Sequence, residues 1–228
     1  MTSELVQIGA ERAKGRRGGG DSPARLVLTL TLAGLFSGLA IVGAYEITQP
    51  MIAANQAAAL RRAVFEVVPG AERLQGLIWK EDRLEAAAEG ETPDLYAAYT
   101  DAGDFVGYAI PGEGAGYQDV IRLLYGYDPE GRTTTGMEVL ESRETPGLGD
   151  RIYKDPDFVG AFRSLAVDPE IVLTKDGAEA ANEIDGITGA TISSGAVVRI
   201  INASNATWLE RLPKEAPPLA SSDAGREK

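Results

Sequence analysis

Residues 185–197 read DGITGATISSGAV, which places four hydroxyls (Thr188, Thr191, Ser193 and Ser194) around Gly186 and Gly189, just ahead of an apolar pattern with helical spacing. A hydroxyl acts as a nucleophile only when a neighbouring base takes its proton. The chain has no histidine and no cysteine. A Ser-His-Asp arrangement, a thiolate nucleophile, the usual zinc sites and iron–sulfur ligation by this chain alone are therefore excluded. No serine is followed three residues later by lysine, so lysine-assisted serine chemistry has no support either. Binding is what remains. A helix starting near Ser193 offers unpaired N–H groups and about half a positive charge to a phosphate, and the glycines let the backbone come close. The same residues suit an ordinary Ser/Thr cap on a glycine turn. The residues alone leave both readings open.

A second stretch, ETPGLGD at 144–150, follows the strand-like GMEVL. Pro146 fixes its own φ while Gly147 and Gly149 permit tight turns, giving either a rigid bend that exposes Leu148 or a plain chain reversal. GEGAGY at 112–117 is not a dinucleotide fingerprint, because the third glycine would have to stand at position 117, which is tyrosine, and no helix pattern opens there. Asn202-Ala-Ser and Asn205-Ala-Thr match glycosylation sequons but fall inside a predicted helix, so they read as chance matches.

These loops need elements to hold them. Residues 26–45 form a 20-residue run without a charge, enough for one membrane-spanning helix of about 30 Å. Gly34, Ser37 and Gly38 would admit a neighbouring helix. A cleaved signal peptide is the competing reading, but the run exceeds the usual apolar core of such peptides. Five of the 22 basic and three of the 34 acidic residues precede position 26, leaving 17 basic and 31 acidic residues for the rest. The basic lead (1–25) should stay in the cytoplasm, with residues 46–228 carried across to what in a bacterium is the periplasm. The acidic body argues against nucleic acid as a partner. Residues 46–70, rich in alanine and ending in VVPG, are expected to continue the anchor as a helical stalk, kinked or broken at Pro50.

Residues 71–212 are expected to form an α+β domain of antiparallel-rich sheet packed with helices. Its hairpins are LYAAYT/DFVGYAI (95–110) and VIRLLYGYD/TTTGMEVLES (120–142), each with a glycine in the turn. Asp155-Pro156 should cap a short helix over 156–165, 170–174 reads as a strand, and Val197, Ile200, Ile201, Ser204 and Trp208 define an amphipathic helix over 195–210. The tail, 213–228, is Pro-rich and charged and reads as disordered.

TGAT at 188–191, followed by ISS, resembles the attachment signature of the covalent-FMN domains of bacterial respiratory complexes, and ETPGLGD resembles the companion motif of the same domain. Gly116-Tyr117 and the strands after it are similar to a further part of that family. The resemblance implies FMN joined through its phosphate to Thr191, with Thr188, Gly189 and Ala190 completing the signature and Thr145, Gly147 and Leu148 in a loop near the flavin. Two departures stand out: Ser142-Arg143 before Glu144, where histidine is expected in many relatives, and the residues after Gly-Tyr, which are normally small. The chain's layout is most similar to the member in Rnf-type ion-translocating complexes, with the member in the sodium-translocating NADH:quinone oxidoreductase as the alternative. The implied function is a membrane-anchored electron carrier that is not catalytic alone. Its implied partners are other membrane subunits of the complex, membrane lipid and a flavin transferase, since no base stands beside Thr191 to activate it. A non-redox anchored sensor or assembly domain is the reading from another class.

Overall fold

The computed structural model describes residues 22–88, 90–175, 177–214, 216 and 219. The expected cytoplasmic lead, apart from 22–25, and most of the expected disordered tail lie outside the described residues. Chain contacts separate two units, one ending at Asn55 and the other beginning at Gln56.

Helix α1 spans Pro23–Val67. It opens on Ser22, whose hydroxyl accepts the amide of Arg25, with Pro23 at the first helical position, where its missing N–H costs nothing. The segment is long and apolar enough to cross a membrane, and none of its most apolar window is buried. Leu30, Phe36 and Ile41 are all at least 70% exposed, which sets this helix apart from the core helix of a soluble domain. The helix runs through Pro50 without a break.

In the second unit, six strands form an antiparallel sheet in the order β2-β1-β3-β4-β5-β6. They are β1 (Arg73–Lys80), β2 (Arg83–Ala86), β3 (Leu95–Tyr99), β4 (Phe105–Ala115), β5 (Val120–Asp128) and β6 (Thr133–Glu141). Both predicted hairpins are present as β3–β4 and β5–β6. The β1–β2 hairpin was not foreseen; Glu81 and Asp82 make its turn with positive φ, where glycine or asparagine is the usual signal.

Side chains alternate across these strands, and both faces are covered. Leu95, Ala97 and Tyr99 of β3, and Ile121, Leu123, Tyr125 and Tyr127 of β5, belong to the main core. Ala98, Ala109 and Leu124 face the other way, onto Ala63, Val64, Val67 and Val68 at the end of α1. That end comes so close that Thr135 Oγ1 donates to the Val67 carbonyl at 2.5 Å, over the bare backbone of Gly126 and Gly136.

After β6 come a 3-10 helix (Gly149–Tyr153), α2 (Pro156–Ala161), a parallel pair β7 (Val172–Thr174) and β8 (Glu183–Asp185), and α3 (Thr191–Trp208). Asp155 caps α2 as expected, accepting the Phe158 amide, but the helix stops four residues early, as Phe162 turns into the core. The expected strand at 170–174 is shorter by two residues and pairs in parallel with β8. α3 packs on β4 through Ile200: a Cβ on Gly112 or Gly114 would lie 2.7 Å from its side chain. Gly112 and Gly114 of the failed fingerprint are therefore helix-packing positions. Both sequons are structural too. Asn205 is buried and accepts the Tyr125 hydroxyl at 2.8 Å, and Asn202 bonds both backbone groups of Ile171.

Candidate functional site

The two motifs meet. The 144–150 loop and the start of α3 border a cleft of about 370 Å³, with Tyr117 on one side. Thr145 and Leu148 come from the loop; Gly189, Ala190, Thr191 and Ile192 come from the turn and helix. Tyr117, Leu148 and Ile192 are 63%, 53% and 57% exposed, so the mouth carries an unusual concentration of open apolar surface. A larger hollow of about 450 Å³ elsewhere is lined by Asp104, Asp128 and Glu130 against Lys214, a balance that disfavours a phosphate.

The helix begins at Thr191, two residues earlier than Ser193 and four before the predicted 195. Its N-cap is Ala190, with no side-chain cap, so the reading of the hydroxyls as an ordinary Ser/Thr cap is corrected. The reason lies in the turn. Gly189 takes φ +85°, and the Ser194 hydroxyl accepts the Ile187 amide at 3.2 Å while donating to the Ala190 carbonyl at 3.0 Å. The Ser194 amide makes the first helical bond, to the Ala190 carbonyl, so the amides of Thr191, Ile192 and Ser193 precede the ladder.

The four hydroxyls thus separate. Ser193 and Ser194 are buried and committed to the chain, Ser193 donating to Glu144 Oε2 at 2.5 Å. Thr188 is exposed, outside the cleft lining, and its carbonyl accepts Arg151 at 2.9 Å. Thr191 lines the cleft, half-buried, and among the described residues no side chain is hydrogen-bonded to its hydroxyl. Of the loop residues, Gly147 takes φ +79°, donates its amide to Asp150 Oδ1 at 2.8 Å and does not line the cleft.

Sequence reasoning missed the residue that joins the parts. Glu144 is 5% exposed. Its Oε1 accepts the amides of Tyr117 and Gln118 at 2.9 and 3.0 Å, and its Oε2 accepts Ser193. One carboxylate therefore ties the 116–119 loop, the 144–150 loop and α3 together. Room for it comes from Gly116 and Gly149, where an added Cβ would lie 2.5 and 2.7 Å from its oxygens. An acid placed between two glycine-bearing loops was the only signal of this in the sequence. Asp150 plays a smaller part: buried, it accepts Lys154 and the Gly147 amide, and the lysine holds it below the usual aspartate range.

Burial alone would push the Glu144 pKa up. The Ser193 hydroxyl and the amides of Gln118, Tyr117 and Asp119 outweigh it and hold the carboxyl below its ordinary value of 4.5. A depressed carboxyl stabilises the fold fully above its unfolded pKa and ceases to do so as the pH falls through the folded pKa. Between pH 6 and pH 3.5 the wild-type domain should therefore lose more stability than Glu144→Gln. Thermal melts at both pH values check this, and parallel losses would refute it.

The family of FMN-binding domains matches residues 116–205, a span that contains both loops and most of α3. Fold and cleft thus define an FMN-binding domain of α+β class. Over longer stretches the chain is 32% identical across 181 residues to the G subunit of the ion-translocating oxidoreductase complex of Methanosarcina acetivorans, covering 79% of this chain and 91% of that protein. It is 30% identical across 170 residues to the G subunit of the proton-translocating ferredoxin:NAD(+) oxidoreductase complex of Clostridium ljungdahlii, covering 75% and 83%. Among solved structures, the C subunit of the Na(+)-translocating NADH-quinone reductase of Parabacteroides distasonis is similar, with a TM-score of 0.48 and 24% identity over 62% of this chain and 77% of that one. The chain belongs to the family of G subunits of ion-translocating oxidoreductase (Rnf) complexes.

The cleft fits FMN. A phosphate needs the free amides of a helix start and a planar ring needs an apolar shelf; the amides of Thr191, Ile192 and Ser193 supply the first and the open faces of Leu148, Ile192 and Tyr117 the second, within one cleft.

Proposed function

We propose that FMN is joined through its phosphate to Thr191 Oγ1, and that the chain relays electrons between subunits of a complex that couples ferredoxin and NAD to ion movement. The observation that carries this reading is the sorting of the hydroxyls. Ser193 and Ser194 are spent on the fold, while Thr191 turns an uncommitted hydroxyl into the cleft at the start of α3. When bound, the flavin accepts and passes on electrons.

The chain's own residues bind and orient. The first amides of α3 would hold the phosphate and stabilise its charge. Gly189 turns the backbone aside, and Arg151 holds that turn by its bond to the Thr188 carbonyl while paired with Asp155 at 2.8 Å. Leu148 and Ile192 would give the ring an apolar surface that excludes water. Among the described residues no side chain is hydrogen-bonded to the Thr191 hydroxyl to take its proton, so attachment calls for a flavin transferase. The five basic residues ahead of position 26 support an orientation with the N-terminus in the cytoplasm and the FMN domain on the periplasmic side of the inner membrane.

The test is co-expression of the full chain with a flavin transferase, followed by intact mass and peptide mapping. A single FMN phosphoryl adduct on Thr191 is expected. An unmodified chain, or an adduct confined to Thr188, Ser193 or Ser194, overturns the reading.

A further inference from the structure

Glu144 is a buried carboxylate. Among the described residues no lysine or arginine lies within 4.0 Å of it; the adjacent Arg143 turns outward to Asp119 and Glu141. Its charge is held by the amides of Tyr117, Gln118 and Asp119, the Ser193 hydroxyl and the start of α3, all neutral groups. Those same partners are the walls of the cleft: Tyr117 and Ser193 both line it, and Gly149 lies against the carboxylate from the loop side. A fixed negative charge thus sits directly behind the cleft wall, screened by little water.

We propose that Glu144 sets the reduction potential of the group held in this cleft, acting through Ser193 as an electrostatic and positioning residue that makes reduction harder. The proposal rests on the reading that the group is FMN. On taking two electrons from a reductant and one proton from solvent, an oxidised flavin becomes a reduced flavin bearing one more negative charge. A buried carboxylate nearby opposes that added charge, whereas neutral Thr191, Ile192 and Ser194 do not. The remaining charged groups around Glu144 are Asp119 on the 116–119 loop, Arg143 beside it, and Asp150 and Arg151 on the 3-10 helix. Asp119, Arg143 and Arg151 are paired with opposite charges at the surface, and buried Asp150 is paired with Lys154.

The experiment is a dithionite titration of the full-length chain in detergent, flavinylated by co-expressed transferase, with attachment monitored separately by intact mass. Glu144→Gln keeps the shape and removes the charge. It should raise the ratio of reduced to oxidised flavin at a fixed poise about tenfold, the order expected for one charge about 10 Å away at an effective dielectric near 20. For a two-electron couple that is a midpoint about 30 mV more positive. Ser193→Ala keeps the charge and removes its strongest neutralising bond, so its midpoint should move the opposite way.

Opposite shifts establish an electrostatic role. Shifts of the same sign reduce Glu144 to a mere loop tie, and unchanged midpoints remove any role in potential; either overturns the proposal. Where Glu144→Gln takes up no flavin, the Ser193→Ala midpoint alone decides, with a lowered value required. A wild-type chain that gains no flavin mass is a different failure, that of the attachment reading, and this proposal falls with it.

Discussion

Thr191→Val yields a folded domain to which no flavin is covalently attached, with the in-gel fluorescence of the denatured chain lost completely. The substitution exchanges one hydroxyl for a methyl and keeps the β-branched shape. Thr191 occupies the first helical position, and its hydroxyl is bonded to no side chain of the described residues. Removing it therefore breaks no contact of the fold, and stability should stay within about 0.5 kcal/mol of wild type. Thr191→Ser restores the hydroxyl and should restore attachment. Ser194→Ala is the informative contrast: it leaves the acceptor oxygen in place but cuts the ties to Ile187 and Ala190, so it should cost about 1 to 3 kcal/mol while retaining some covalent flavin. A fluorescent band persisting in Thr191→Val would show the attachment point to be elsewhere.

The largest effect on stability is expected at a residue far from the cleft. Gly126 lies in β5 beneath the end of α1, and a Cβ there would overlap the Val67 carbonyl and the Thr135 hydroxyl. The obstruction includes backbone, so no rotamer change relieves it. Either α1 lifts or the strand distorts. Lifting breaks the 2.5 Å bond from Thr135 to Val67 and uncovers Val64 and Val67, which are 0% and 1% exposed. Gly126→Ala should cost about 3 kcal/mol or more, at the upper end of overpacking effects, and lower the melting temperature by several degrees. Gly160→Ala in α2, where an added Cβ meets nothing within 4 Å, should be neutral or stabilising. Equal melting temperatures for the two variants would mean that the packing of α1 on the sheet is looser than its geometry indicates.

Much of this protein was readable from local pattern. An uncharged run of 20 residues is a membrane-type helix wherever it occurs, because the requirement is length and apolarity alone. The β3–β4 and β5–β6 hairpins followed from alternation around glycine turns, and the Asp155-Pro156 start of α2 from capping chemistry, all set within about ten residues. The hydroxyl-rich turn before α3 also carried its own signature. What pattern could not decide was which hydroxyl stays free. That depended on Glu144, 49 residues from Ser193 in the chain, reaching across to occupy it, and on Gly116 and Gly149 leaving space for the carboxylate. The glycines at 112, 114 and 126 were equally silent until Ile200 and Val67 were seen against them. Spacing along a chain reports the period of one element. Which surface meets another is settled by contacts between distant segments, and there the fold converted a run of four similar hydroxyls into two struts, one exposed turn residue and one candidate anchor.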